Sequence, residues 1–212
     1  MAKPNEILIV RGSTLTMLLR WETEPRISKA ISAISLASGW PRLTVTGHNL
    51  PDGWEAGVSR VTGMKQINSG DKAYRCTVID PNTLELNGIT PADEQGKEWP
   101  AYISGGWLEY ATPVDMTGYT ARMKIRDKEG GILLASTEVA DAPLNIIAIT
   151  IDNAAKTILL RISEPNTKAI TFKGGVTDLE MVSPTGIVTK LKLSKGLDDT
   201  PDPVRVTGEI TT

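Results

Sequence analysis

The sequence predicts an all-β fold, and three observations carry that reading. Apolar and polar residues alternate with a period of two in several segments, turn-forming clusters recur at short and fairly even spacing, and helix signals are weak. Short strands evenly spaced by turns are the pattern of a sandwich or a barrel.

Along the chain, Ile7-Leu8-Ile9-Val10 and Leu15-Thr16-Met17-Leu18-Leu19-Arg20-Trp21 are rich in apolar and β-branched residues, with Gly12-Ser13 breaking them. Residues 28–36 fit either a strand or one to two helical turns with Ile27, Ile31 and Ile34 on one side. Leu43-Thr44-Val45-Thr46, residues 73–79 and Thr83-Leu84-Glu85-Leu86 read as short strands, separated by turn formers at residues 47–53 and at Asp80-Pro81-Asn82. Thr120-Ala121-Arg122-Met123-Lys124-Ile125-Arg126 alternates small or apolar with cationic residues. Residues 187–193 put lysines on one face and aliphatics on the other, as a strand covered on one face does. Further turns stand at residues 127–131, Asp152-Asn153-Ala154, Lys173-Gly174-Gly175 and Ser183-Pro184-Thr185-Gly186. Residues 164–170 suit a short helical turn with Pro165 near its first position.

The middle of the chain has its own texture. Residues 28–106 contain Trp40, His48, Trp54 and Trp99 among short strands and Gly-Asn-Asp-Pro turns, enough for a small barrel with a thin core. Pro25 and Gly105-Gly106 are natural hinges at its ends. The expected organisation is therefore an outer sandwich of residues 1–27 and 107–212 with a small β-barrel, residues 28–106, inserted in it.

Composition narrows the chemistry. Lys plus Arg is 23 and Asp plus Glu is 25, a net charge of −2, which disfavours direct binding to many nucleic-acid phosphates. No apolar run approaches the ~20 residues that cross a bilayer, and the first residues lack the apolar stretch of a signal peptide. With one cysteine, Cys76, no internal disulfide is expected, which fits synthesis in a reducing cytoplasm. A single His and a single Cys exclude the common zinc ligand sets.

Short motifs carry a resemblance. Residues 11–19, then Pro113-Val114-Asp115-Met116-Thr117-Gly118-Tyr119 leading into the strand that ends Ile125-Arg126, resemble small structural proteins of tailed bacteriophages. These include the immunoglobulin-like module of baseplate and fibre-attachment proteins. Thr177-Asp178-Leu179-Glu180, Gly186-Ile187-Val188 and Val204-Arg205-Val206-Thr207 match the same family's later strands, while Ser13 and Met116 depart from its usual Asp and Leu. Within the insertion, residues 45–53, 61–68, 74–78, 80–86 and 104–106 are similar, in that order, to small barrel repeats of phage tail proteins. Those repeats are related to the first catalytic-cysteine half-domain of ubiquitin-activating enzymes. No catalytic cysteine is implied.

The resemblance implies a virion protein of the tail, neck or baseplate. It would be made in the host cytoplasm and assemble as a symmetric oligomer with ring, fibre or spike proteins, without cofactor, metal or catalytic residues. A capsid decoration protein and a host-glycan-binding module are the alternatives, the latter using Trp40, Trp54 and Trp99 as stacking platforms.

Individual residues have plain readings beside sharper ones. His48 sits in a turn with no motif-placed partner to make it a base, and Cys76 suits a buried strand position. Asp115 is expected to cap its own turn rather than join Asp127 or Asp178 around a cation, with Gly118 supplying an unusual backbone angle. Gly63, Gly130-Gly131 and Gly174-Gly175 fit no phosphate-binding pattern. The lysine face of 187–193 and the acidic stretch Asp198-Asp199-Thr200-Pro201-Asp202-Pro203 are expected to be solvated. Trp21 and Trp107 complete the set of tryptophans, some of them core and some available to interfaces.

Overall fold

A computed structural model describes residues 6–36, 39–70, 72–92, 98–193 and 201–208. The chain opens with β1 (Ile7–Val10) and β2 (Leu15–Leu19). It then passes through β3 (Glu22–Ala30), β4 (Ala33–Ser35), β5 (Arg42–Thr44), β6 (Glu55–Thr62), β7 (Tyr74–Asp80), β8 (Thr83–Leu86) and β9 (Ser104–Pro113). There follow β10 (Thr120–Arg126), β11 (Leu133–Ser136), β12 (Ala148–Asp152), β13 (Thr157–Ile162), helix α1 (Glu164–Ala169), β14 (Gly174–Val182), β15 (Val188–Leu191) and β16 (Asp202–Thr207). The fold is all-β. The stretch that fitted either a strand or a helix is extended, supplying the end of β3 and all of β4, and α1 opens at Glu164 with Pro165 in its first turn, as its sequence suggests.

The chain forms two compact units: residues 1–21 with 115–212, and residues 22–114. The sequence reading set the limits of the insertion at 28 and 106. They lie further out because β3 and β9 pair with each other from Glu22 opposite Pro113 to Ala30 opposite Trp107, and a paired ladder moves as one.

In the outer unit, one sheet runs β1-β16-β14-β10-β11, with β15 sharing the edge of β14 with β16, and a second runs β12-β13-β2. All pairs are antiparallel except β1 with β16. Ile7 and Ile9, Met123 and Ile125, Leu160 and Ile162 meet in one core, so the two sheets pack as a sandwich. The alternation in β10 is that of a one-sided strand: Met123 and Ile125 point into the core, while Arg122 faces Glu180 across the ladder and pairs with it at 2.6 Å. α1 closes one side of this core with buried Thr167, whose hydroxyl lies 2.9 Å from the carbonyls of Ser13 and Glu164.

In the inserted unit, a single hydrogen-bonded path runs β3-β9-β6-β7-β8-β5-β4. Its two ends are consecutive in sequence. Between them the Ile31 N–H donates to the Gly106 carbonyl and the Ser32 N–H to the Thr44 carbonyl, so the sheet curls back toward its own start round one core. That core holds Leu43, Val45, Trp54, Val58, Leu84 and Leu108, all at most 1% exposed. At two glycines the chain passes too close to its neighbours for a side chain. A Cβ on Gly63 (φ +88°) would stand 2.2 Å from the Ala101 carbonyl oxygen, and one on Gly106 (φ +104°) 2.7 Å from Val61 Cγ2.

Candidate functional site

His48 is 1% exposed. The Leu50 N–H donates to its Nδ1 at 3.0 Å, so the ring proton sits on Nε2, which donates to the Asp80 carbonyl at 2.9 Å. The Tyr110 hydroxyl donates in turn to the His48 carbonyl. Both ring nitrogens are spent on backbone groups, which makes His48 a brace for the turn between β5 and β6 and gives it nothing to activate. Cys76 is fully buried, and burial pushes its thiol up to about 12, far from the thiolate a nucleophile requires.

Asp115, Asp127 and Asp178 serve three separate structures. Asp115 Oδ1 accepts from Thr117 Oγ1 at 2.9 Å, Asn153 Nδ2 at 2.8 Å and Lys156 Nζ at 3.2 Å, and more weakly from the Thr117 N–H at 3.4 Å. Asn153 Oδ1 accepts the Met116 N–H at 2.7 Å. This network ties the turn before β10 to the β12–β13 hairpin over the buried Met116, with Gly118 at φ +72° completing the turn. Hydrogen bonds from Asn153, Thr117 and Lys156 lower the Asp115 carboxyl to about 2. Asp127 caps its own turn by accepting the Lys128 and Ile132 N–H groups, and Asp178 pairs with Lys190 at 2.6 Å. Among the described residues no cluster of three or more His, Cys, Asp or Glu is placed to hold a metal.

The charged face of the outer sheet is largely self-neutralised. Lys190 is held by Asp178, Arg122 by Glu180, and Lys124 by Glu138 and by Asp141 at 3.0 Å. Val188 shares the outward side with Lys190, so that face of β15 is mixed rather than purely cationic. Asp198, Asp199 and Thr200 of the acidic stretch lie outside the described residues. Asp202 instead is buried at the start of β16, accepting the Leu193 N–H at 2.9 Å.

The tryptophans divide sharply. Trp54 is fully buried and its indole N–H donates to the Ala111 carbonyl at 3.2 Å, which removes it as a stacking platform. Trp99 packs half-buried against the core of the inserted unit. Trp21 meets Tyr119 edge to face at 5.4 Å. Trp40 and Trp107 stay open, at 40% and 39% exposure.

Trp107 stands at the centre of an organised face. Across the β3–β9–β6 ladder its register partners are Ala30 on one side and Ser59 on the other; Glu109, next outward on β9, lies between Ser28 and Gly57. All four flanking residues are small, so the indole rises above its neighbours with the Glu109 carboxylate ~7 Å along the strand. β6 is irregular beside it without a change of register: Arg60, between Ser59 opposite Trp107 and Val61 opposite Gly105, adopts φ +58°, and with Val58 and Val61 both buried, Ser59 and Arg60 are both left toward solvent. Beside Glu109 a groove of about 380 Å³ is lined by Arg26, Ser59, Ser69, Lys72 and Glu109 itself. Arg26 Nη2 donates to the Glu109 carbonyl at 3.2 Å and Ser59 Oγ to Glu109 Oε1 at 3.3 Å.

Sequence reading placed the stacking residues at Trp40, Trp54 and Trp99 and passed over this face. The signal was present in the strict alternation Trp107-Leu108-Glu109-Tyr110, whose even positions are buried. Neither family models nor curated proteins yield a match to this chain.

Proposed function

We propose that this protein is a non-enzymatic structural component of a tailed-bacteriophage virion, an adaptor at the tail, neck or baseplate that works by docking. The observation that carries the reading is the way the chain is interrupted. Sheet β12-β13-β2 against sheet β16-β14-β10 matches the D-E-B and G-F-C strands of an immunoglobulin sandwich in chain order. In that lettering residues 22–114 fall between strands B and C, a second unit with its own core. This is the plan the motif resemblance implies: an immunoglobulin-like outer module to grip a ring, and a small barrel-like module presented from it. The Asp115 network adds support, because the phage-like segment 113–119 forms a discrete, hydrogen-bonded corner. Repetition by symmetry would let modest single interfaces hold firmly.

The test is to purify particles from cells whose genome carries the gene and to locate the protein by quantitative mass spectrometry and antibody-labelled electron microscopy. About six or twelve copies on the tail agree with a ring adaptor. Hundreds of copies on the head would replace it with a decoration role, and absence from purified particles would refute the virion reading altogether.

A further inference from the structure

We infer that the Trp107 face of the inserted unit is a binding site for an acidic polysaccharide, one pyranose ring stacking on the indole and its carboxylate meeting the surrounding cations. This goes beyond the virion reading and does not depend on it.

Three independent features converge. First, the indole is left open by its own sheet. Ala30, Ser59, Ser28 and Gly57 surround Trp107 and Glu109 with side chains too short to cover an apolar ring, and a pyranose offers a flat C–H face of matching size. Second, the polar groups beside the ring suit hydroxyls. Glu109 presents a carboxylate acceptor, already oriented by Ser59, and Ser28 and Ser59 add hydroxyls on either side. Third, cations gather here among the described residues: Arg26 and Lys72 line the groove, and Arg60 is exposed next to Ser59 on β6. Arg60 adopts φ +58° and is exposed one residue after Ser59, the register partner of Trp107.

Single-stranded nucleic acid also combines stacking with cations, but it calls for successive aromatic platforms along a cationic track. This face offers one indole, Trp107, among small residues rather than a run of aromatic platforms. A neutral glycan would use the ring and Glu109 and leave the three cations idle.

The experiment titrates the full-length protein, ¹⁵N-labelled, and follows its tryptophan indole N–H signals by NMR. The probes are hexamers of alginate, polygalacturonate and hyaluronan, oligosialic acid, neutral maltohexaose and cellohexaose, and oligo-dT. The expected result is a saturable shift of the Trp107 signal with at least one acidic sugar, weakened by salt. Trp107→Ala and Arg60→Ala should each reduce affinity about tenfold while Trp40→Ala leaves it unchanged. Unshifted remaining indole signals in Trp107→Ala show that the variant is folded. The inference is overturned if no acidic sugar moves the Trp107 signal, if neutral hexamers bind equally well, or if oligo-dT binds more tightly than every sugar. Location in particles is measured separately, so either result can fail without the other.

Discussion

Replacing Trp54 with Ala should strip the inserted unit of much of its stability and leave the outer one standing. The inserted unit spans about 90 residues, for which ~0.05–0.15 kcal/mol per residue gives a stability of about 5–14 kcal/mol. Trp54 is fully buried in its core, and deleting so large a side chain costs ~3–5 kcal/mol. The Ala111 carbonyl then loses its indole donor in a buried setting, a further ~1–3 kcal/mol. Together these remove about half or more of the stability at the middle of that range.

Each unit has its own core, and the two are joined through the chain at Trp21–Glu22 and Val114–Asp115. While the insertion is folded, the outer unit sees a short bridge, because Glu22 and Pro113 are register partners ~5 Å apart. Once it unfolds, that bridge becomes a loop of about 90 residues. The closure entropy of lengthening from ~2 to ~90 residues is about 3 kcal/mol, against ~6–18 kcal/mol expected for an outer unit of this size. Hydrogen exchange by mass spectrometry, read separately for 22–114 and for the outer segments across a urea series, measures both quantities. The expected variant shows loss of protection in 22–114 at low urea, with the outer peptides weakened by about 3 kcal/mol. A single transition in which every peptide of wild type and variant opens together would refute the reasoning, since it would mean the units are one cooperative body.

Three further outcomes are expected. Cys76, with its thiol pushed up to about 12, should react with a disulfide reagent at pH 8 about a thousandfold more slowly than a free cysteine, and at the ordinary rate once urea opens the inserted unit; fast labelling of the native protein would contradict its burial. Asp115 has its carboxyl lowered by its partners, so it favours the folded state above the usual carboxylate range and loses that contribution as pH falls from ~4 toward 2. The stability difference between wild type and Asp115→Asn should accordingly be widest near neutrality and close on acidification, and a pH-independent difference would speak against the network. His48→Ala leaves the buried Leu50 N–H without its acceptor, while the Asp80 carbonyl can turn to solvent. Denaturant titration should show a loss of about 1–3 kcal/mol, whereas a neutral effect would show that the imidazole is no brace.

The strands most legible in the sequence are those whose two faces differ. β1, β8 and β10 span the residues their patterns single out, and β10 is the clearest because Met123 and Ile125 enter the core between Arg122, Lys124 and Arg126. The limits of the insertion were not legible, and β3 shows why. Glu22, Thr23, Glu24, Pro25 and Arg26 are all exposed, so nothing in their polarity alternates; only their pairing with β9 makes them a strand, and pairing between residues ~85 positions apart leaves no local trace. Pro25 stands where the ladder changes register, between Thr23 and Ile27, which is why a residue that reads as a hinge is tolerated inside a strand.

The same physics explains which tryptophan carries the candidate site. Exposure of an aromatic residue is decided by its cross-strand neighbours, and those are set by register rather than by flanking sequence. Trp54, in a turn-rich stretch, looks solvent-facing by composition, yet it fills the core because the chain folds it beneath Ala111. Trp107 follows two glycines and precedes a leucine, which reads equally well as core. It faces out because Gly106 and Leu108 take the inward positions on either side of it, and it stays uncovered because the positions opposite are Ala30 and Ser59. A large residue at either position would shade the indole without disturbing the core. Ser59→Leu should therefore preserve the fold and abolish sugar-induced shifts at Trp107, separating the shape of the face from the chemistry of the tryptophan itself.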